Sequence, residues 1–504
     1  MRSFRAPARV RRLIVALVAA VLAATLAGPA VEANSDKAGF ITSADPMLTP
    51  LADDVEVKPL LTVGDTIGDY RFESIPDGIA IDPRGNTTFD LYVNHETSKV
   101  PFPANLVDFD NAQLSHLVMK RGSGKIVSAQ FAIDSSSNYQ RFCSNFFAGP
   151  AEGWDRPLVL TNEEATDFVN RTGTAWPAGP GAEQAGLAVA YDPASGDHRS
   201  IYGLGRMNHE NSVAIPGYDE AVLVTGDDTF SAPASQLYMY LADDADAVWN
   251  DEGHLWAFVS DDEDVNDYGD LALGDQVSGE FIMVPDDIAD GDQTGLETWS
   301  NANNVFQFIR IEDLAYDRND HRVLYFADTG EPRAVADPAT GRLRRGASGT
   351  TGPYPNGRIF KVVLDDENPL VVDSLSILID ADAGGYNNVG ELHQPDNIET
   401  TGRSLLITED PGGHNRFVGA TNARLWKYDF ATGDLSAVAV VSHPTADWES
   451  SGVVDASRYF GEGAFLINVQ AHSIFVDTAP LPSNPTITQK REGGQLLLIR
   501  IEGA

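Results

Sequence analysis

Two short segments of the chain are near copies of one another, Asn94-His95-Glu96 and Asn208-His209-Glu210-Asn211. A His-Glu pair at a strand end can ligate a metal or activate water. A capped turn uses the same residues, so the repetition is what points to chemistry. In Phe308-Ile309-Arg310-Ile311-Glu312-Asp313, alternation along a strand sets Arg310 and Glu312 on one side. That pair suits an ion pair, or a guanidinium fork gripping a phosphate oxygen while the carboxylate holds a metal. The single cysteine, Cys143, lies 20 residues before Glu163-Glu164. It has no partner for an internal disulfide and is either an inert buried thiol or a metal ligand. Gln394-Pro395-Asp396-Asn397 and Trp448-Glu449 add carboxylates beside turn-forming residues. A Walker A loop, a G-x-S-x-G elbow and an H-E-x-x-H helix are absent, and the acidic run 261–270 lacks the glycine of an EF-hand loop.

The elements that must position these groups repeat. Six short apolar runs end in polar or acidic residues, at 91–96, 158–164, 222–228, 323–329, 405–410 and 465–472. Such runs read as strands buried on both faces. Five have an upstream partner in which an acidic cluster leads into a short apolar strand and a turn, at 76–82, 209–215, 311–316, 395–398 and 449–454. Five or six hairpin units of this kind predict an all-β chain, a β-propeller with acidic loop insertions. Residues 34–504 form a single such domain, the main insertion lying around 243–300. At the channel of a propeller the blade ends converge. Carboxylates gathered there stay ionised together only with cations between them.

The first 33 residues read as a secretory leader, with Arg2, Arg5, Arg9, Arg11 and Arg12 before an apolar run from Leu13 to Leu26 and Val31-Glu32-Ala33 at the end. The apolar run is too short for a membrane span. An exported protein, periplasmic or secreted, is expected, by the general or the twin-arginine route. With the five arginines and one glutamate of the leader gone, the formal net charge moves from −39 to −43. That charge repels nucleic acid and anionic membranes and favours cations. A soluble monomer without a membrane span is expected.

Taken in order, the motifs resemble those of the PhoX-type alkaline phosphatases. They are Pro76-Asp77-Gly78 with Asn94-His95-Glu96, and Cys143 followed by Leu160-Thr161-Asn162-Glu163-Glu164. Gly205-Arg206 with His209-Glu210 leads to Gly226-Asp227-Asp228. Then come Arg310-Ile311-Glu312-Asp313, Pro395-Asp396-Asn397-Ile398, and Glu449 with Gly452 leading to Asn468-Val469-Gln470. The resemblance implies a six-bladed propeller whose axial site holds two ferric ions bridged by an oxide, together with calcium ions. It implies a thiolate iron ligand at Cys143. Glu163 or Glu164, Glu210, Glu312 and Asp396 would be shared between Fe3+ and Ca2+, with Glu96 and Glu449 as further metal-binding candidates. Arg310 and Glu312 would be the catalytic pair, Arg310 taking the phosphoryl group of a small-molecule phosphate ester. The activity implied is hydrolysis of phosphate monoesters. The same residues leave open a calcium-dependent propeller acting on lactones, other esters or phosphodiesters, and a non-catalytic calcium-stabilised binding propeller.

Overall fold

The computed structural model describes residues 39–229, 235–385, 390–410, 422–443 and 448–504. The predicted leader, 1–33, lies outside the described residues. The chain is all-β, and no helix among the described residues is long and apolar enough to cross a membrane.

Six four-stranded antiparallel units follow one another along the chain. Their first strands are Pro76–Asp82, Phe142–Ala148, His209–Ile215, Ile311–Tyr316, Pro395–Thr400 and Glu449–Asp455. Each first strand touches the first strands of its two neighbours, and the sixth closes back on the first. The second strands, Thr88–His95, Leu158–Glu163, Ala221–Asp227, Val323–Asp328, Ser404–Glu409 and Ala464–Leu481, begin as the apolar runs of the repeat. Their side chains are buried on both faces, as in the neighbours Leu91 and Tyr92, Leu158 and Val159, and Val222 and Leu223, because sheets pack against each side.

The ring is closed by both ends of the described chain. Val55–Thr62 is the outer strand of unit six, pairing antiparallel with Asn484–Ile501, and Leu48–Pro50 adds to the edge of unit five. Gln276–Met283, within the acidic insertion, bridges the outer strands of units three and four into one nine-stranded sheet. The rest of that insertion is largely structured: His254–Ser260 is the fourth strand of unit three, and Gln293–Ala302 is a helix capped by Asp292. The core is a series of apolar clusters between successive sheets, so each unit is held by its neighbours.

Candidate metal centre

All six first strands carry an irregularity near their start. Pro76 pairs with His95, yet Ile79 pairs with Val93, so three steps on one strand oppose two on the other. The same offset recurs at Phe142/Asn145, His209/Ser212, Ile311/Leu314 and Pro395/Ile398, and in unit six the break falls one pair later, at Ser451/Val453, where two steps oppose one. Such a bulge re-aims the side chains of its extra residues. The residue after the paired one is Asp77, Cys143, Glu210, Glu312 and Asp396 in units one to five; in unit six Ser451 is itself paired, with Asn468, and the break follows it. Gly78 and Gly452 follow in the narrowest bulges: a Cβ at Gly78 would meet the Asn145 amide, and one at Gly452 the Asp77 carbonyl.

These side chains meet. Ligand atoms of Asp77, Glu96 and Cys143 lie within 4.8 Å of one another, as do those of Cys143, Glu164 and Glu210, and those of Glu210, Glu312 and Asp396. Cys143 joins the first group to the second and Glu210 joins the second to the third, so the three form one chain of donors. The Cys143 Sγ donates to Asp77 Oδ2 at 2.9 Å, Ser144 Oγ donates to Glu210 Oε1 at 2.5 Å, and the Ser451 hydroxyl donates to Asp77 Oδ1.

Burial is the largest influence on every acid here, with neighbouring like charges adding to it. It lifts Asp77 to about 6 and Glu96 to about 7. Glu164, Glu210, Glu312 and Asp396 stand well above the ordinary carboxylate range for the same reasons. The Cys143 thiol is pushed up by burial and by Asp77, Glu210, Glu164 and Glu96. Glu210 Oε2, Asn397 Oδ1 and Gln470 Oε1 are buried without a hydrogen-bond partner. Orphaned acceptors beside clustered carboxylates fit cations, and the oxygen-only group of Glu210, Glu312 and Asp396 fits a hard cation such as calcium.

The structure brings Glu96, Cys143, Glu164, Glu210, Glu312 and Asp396 together and leaves Glu163 out. Glu163 binds both terminal nitrogens of Arg171, at 2.7 and 2.8 Å, and accepts the Gln140 and Leu187 amides. Consecutive strand residues face opposite ways, so of the pair only Glu164 enters the cluster. The histidines of the two near-copy motifs are likewise turned away. His95 bonds the Ser74 carbonyl and Ser115 Oγ, and His209 bonds Thr225 Oγ1 and the Gly205 carbonyl. Burial lowers both to about 4. Glu449 pairs with Gln470 two residues before the break at Ser451, with His472 Nε2 at 3.7 Å, outside the three groups.

Arg310 is bound by Asp228 through Nε and Nη2, each at 2.6 Å, and by Glu312 at 3.1 Å. Sequence reasoning quoted Asp77 and Asp228 within motifs but did not place them in the site. Their position in the repeat was the available signal, since Asp77 takes the bulge place of Glu210 and Asp228 the strand-end place of Glu164. Arg141 was missed altogether. Arg141-Phe142-Cys143 repeats the spacing of Arg310-Ile311-Glu312.

A cavity of about 500 Å³ opens beside the cluster. Glu96 and Glu164 face it, with Arg141, His472 and Lys490 as its cationic side chains and Val100, Phe102 and Leu106 among its apolar ones. Burial pushes His472 down, but the hydrogen bond to Glu492 and the surrounding carboxylates outweigh it, and the net shift is upward.

No family model matches the sequence, and no curated protein does. Among solved structures, the fold is similar to that of PhoX from Pseudomonas fluorescens in complex with vanadate, a transition state analogue. The TM-score is 0.60 at 15% identity, covering 92% of this chain and 97% of that one. A protein of unknown function from Dyadobacter fermentans matches at a TM-score of 0.42 and 8% identity, over 90% of this chain and 100% of that one. A mutant of NanB sialidase from Streptococcus pneumoniae also gives 0.42 and 8%, over 87% of this chain and 71% of that one. The PhoX match is a likeness of fold.

Proposed function

We propose that this chain is an exported, metal-dependent phosphatase that hydrolyses phosphate monoesters at an axial cluster of iron and calcium. In this reading the six units are the blades of a six-bladed propeller, and the protein acts as a monomer. The observation that carries the proposal is the linkage of three donor groups through Cys143 and Glu210, beside a cavity that Glu96 and Glu164 line. The shared fold of PhoX, a protein solved with vanadate bound, supports it.

The argument is electrostatic. Asp77, Glu96, Glu164, Glu210, Asp228, Glu312 and Asp396 would repel a dianionic phosphate ester if left uncompensated. Cations held among them would reverse the sign of that cluster and would supply Lewis-acid polarisation of the phosphoryl group and activation of water. The donor set divides accordingly: a thiolate with carboxylates suits iron, and the oxygen-only group suits calcium. In the hydrolysis a bond forms from a water oxygen to phosphorus and the bond from phosphorus to the alcohol oxygen breaks, leaving inorganic phosphate and the alcohol. The chain's own residues hold and orient. Asp228 fixes the plane of Arg310 and holds its guanidinium beside Glu312.

The test is elemental analysis of the purified protein beside turnover of 4-nitrophenyl phosphate, before and after chelation and with calcium restored. Bound iron and calcium, with activity lost on chelation and regained with calcium, is the expected result. A metal-replete protein that turns over no phosphate ester would end the proposal.

A further inference from the structure

The cavity contains a cation that the site description has not used. Arg141 lies one residue before the bulge-paired Phe142, the place Arg310 holds before Ile311. The two are engaged differently. Asp228 takes both Nε and Nη2 of Arg310, whose side chain is 7% exposed, and Arg310 is not among the residues lining the cavity. Asp167 takes Nη1 of Arg141 at 2.6 Å, and Arg141 does line it. Arg141 also holds a left-handed backbone, φ 43°, that a non-glycine residue adopts only when its surroundings impose it. Its guanidinium stands 5.5 Å from the Phe102 ring centroid, and the Glu96 and Glu164 carboxylates lie close enough to act on it electrostatically. It therefore spans from the acidic floor to the cavity wall.

That wall is one continuous segment. Val100, Phe102, Pro103, Leu106 and Val107 all face the cavity, and Phe102 is 70% exposed. The other cations are engaged by carboxylates: Lys490 binds Glu492 at 2.5 Å and Asp108 at 3.3 Å, and His472 lies between Glu449 and Glu492. A volume near 500 Å³ admits one small ester and not a polymer.

We propose that this cavity seats the whole substrate, with Arg141 meeting the phosphoryl group and the Val100–Phe102–Leu106 wall receiving the alcohol portion, so that the preferred esters are those of compact apolar, above all aryl, alcohols. A sugar or polyol phosphate would set hydroxyls against that wall without hydrogen-bond partners, which is unfavourable. The inference rests on the phosphatase reading.

The experiment compares phenyl phosphate with glycerol 2-phosphate on the metal-loaded protein. Because the two leaving groups differ in reactivity, the readout is the change in their kcat/KM ratio between parent and variant. Phe102→Ser should lower the phenyl preference about tenfold, through the KM for phenyl phosphate. Leu273→Ser, which removes an exposed apolar side chain outside the cavity lining, should leave the ratio alone. Arg141→Lys should raise KM for both esters, and Ki for inorganic phosphate, by about tenfold, since a point charge replaces a fork. An unchanged ratio in Phe102→Ser, or KM and Ki within about twofold in Arg141→Lys, would overturn the proposal. A metal-loaded parent that turns over neither ester would instead overturn the phosphatase reading, and the pocket assignment with it.

Discussion

Glu163 and Glu164 are adjacent in the chain and belong to two kinds of interior. Glu163 enters a network whose charges are balanced within the protein. Arg171 binds it and Glu183 together, and Arg206 adds a second cation on Glu183. Glu164 enters the axial cluster, where named carboxylates far outnumber the two arginines nearby. The first region is complete as it stands. The repulsion in the second is relieved either by protons on the acids, whose pKa values burial raises, or by cations from outside the chain. Burial of acids therefore says little about function; the presence or absence of their counter-charges distinguishes a structural network from a metal site.

The largest effect that would break this contrast is removal of the cations. Each ion held at a thousandfold above its dissociation constant stabilises the fold by about 4 kcal/mol. Chelation should then lower the thermal unfolding midpoint by on the order of 10 °C in calorimetry. A midpoint unmoved by chelation would mean that the axial acids need no ions.

Next comes a pair of substitutions with opposite signs, read on the chelated protein by denaturant unfolding. Glu163→Gln leaves Arg171 short of a buried partner and should destabilise by about 3 kcal/mol. Glu210→Gln removes one of several repelling acids shared between two donor groups and should stabilise the chelated protein, while reducing its metal content once ions are restored. Equal losses from both would erase the distinction.

A smaller effect sharpens it through pH. Glu96 titrates near 7 in the folded chain against an ordinary 4.5, and Asp77 near 6 against 3.8. A folded pKa above the unfolded one means the native state holds more protons between them. Stability of the chelated protein should therefore fall as pH rises from about 4 to 7. Metal-loaded protein should not share this fall. The smallest expected effect on stability is that of Cys143→Ser, which keeps a small buried donor toward Asp77. Elemental analysis should show lowered iron with calcium retained.

Much of this was legible before any coordinates. The six apolar runs became six second strands, and five of the six upstream segments were recognisable because an acidic residue leads each into an apolar strand. The one overlooked is Phe142–Ala148. Its bulge residue is a cysteine, and Phe142, Phe146 and Phe147 surround it, so composition offered no acidic marker. The Glu163-Glu164 pair could not be resolved by type, since both are glutamates. The register of Glu163 against Phe142 decides which of them faces the axis. Of the His-Glu motifs, the glutamates enter the donor groups and the histidines support the strands behind them.

By itself the sequence determined the strands, their order, the acidic position that recurs at the start of five of the six units and the surplus of negative charge. Those follow from local patterning and composition, which every segment carries within itself. Only the tertiary structure decided which carboxylates meet, that Asp228 occupies Arg310, and that Arg141 rather than Arg310 lines the cavity. These depend on a one-residue bulge in each first strand and on closure of the ring. Such features bring residues hundreds of positions apart within a few ångströms, and no single segment encodes that.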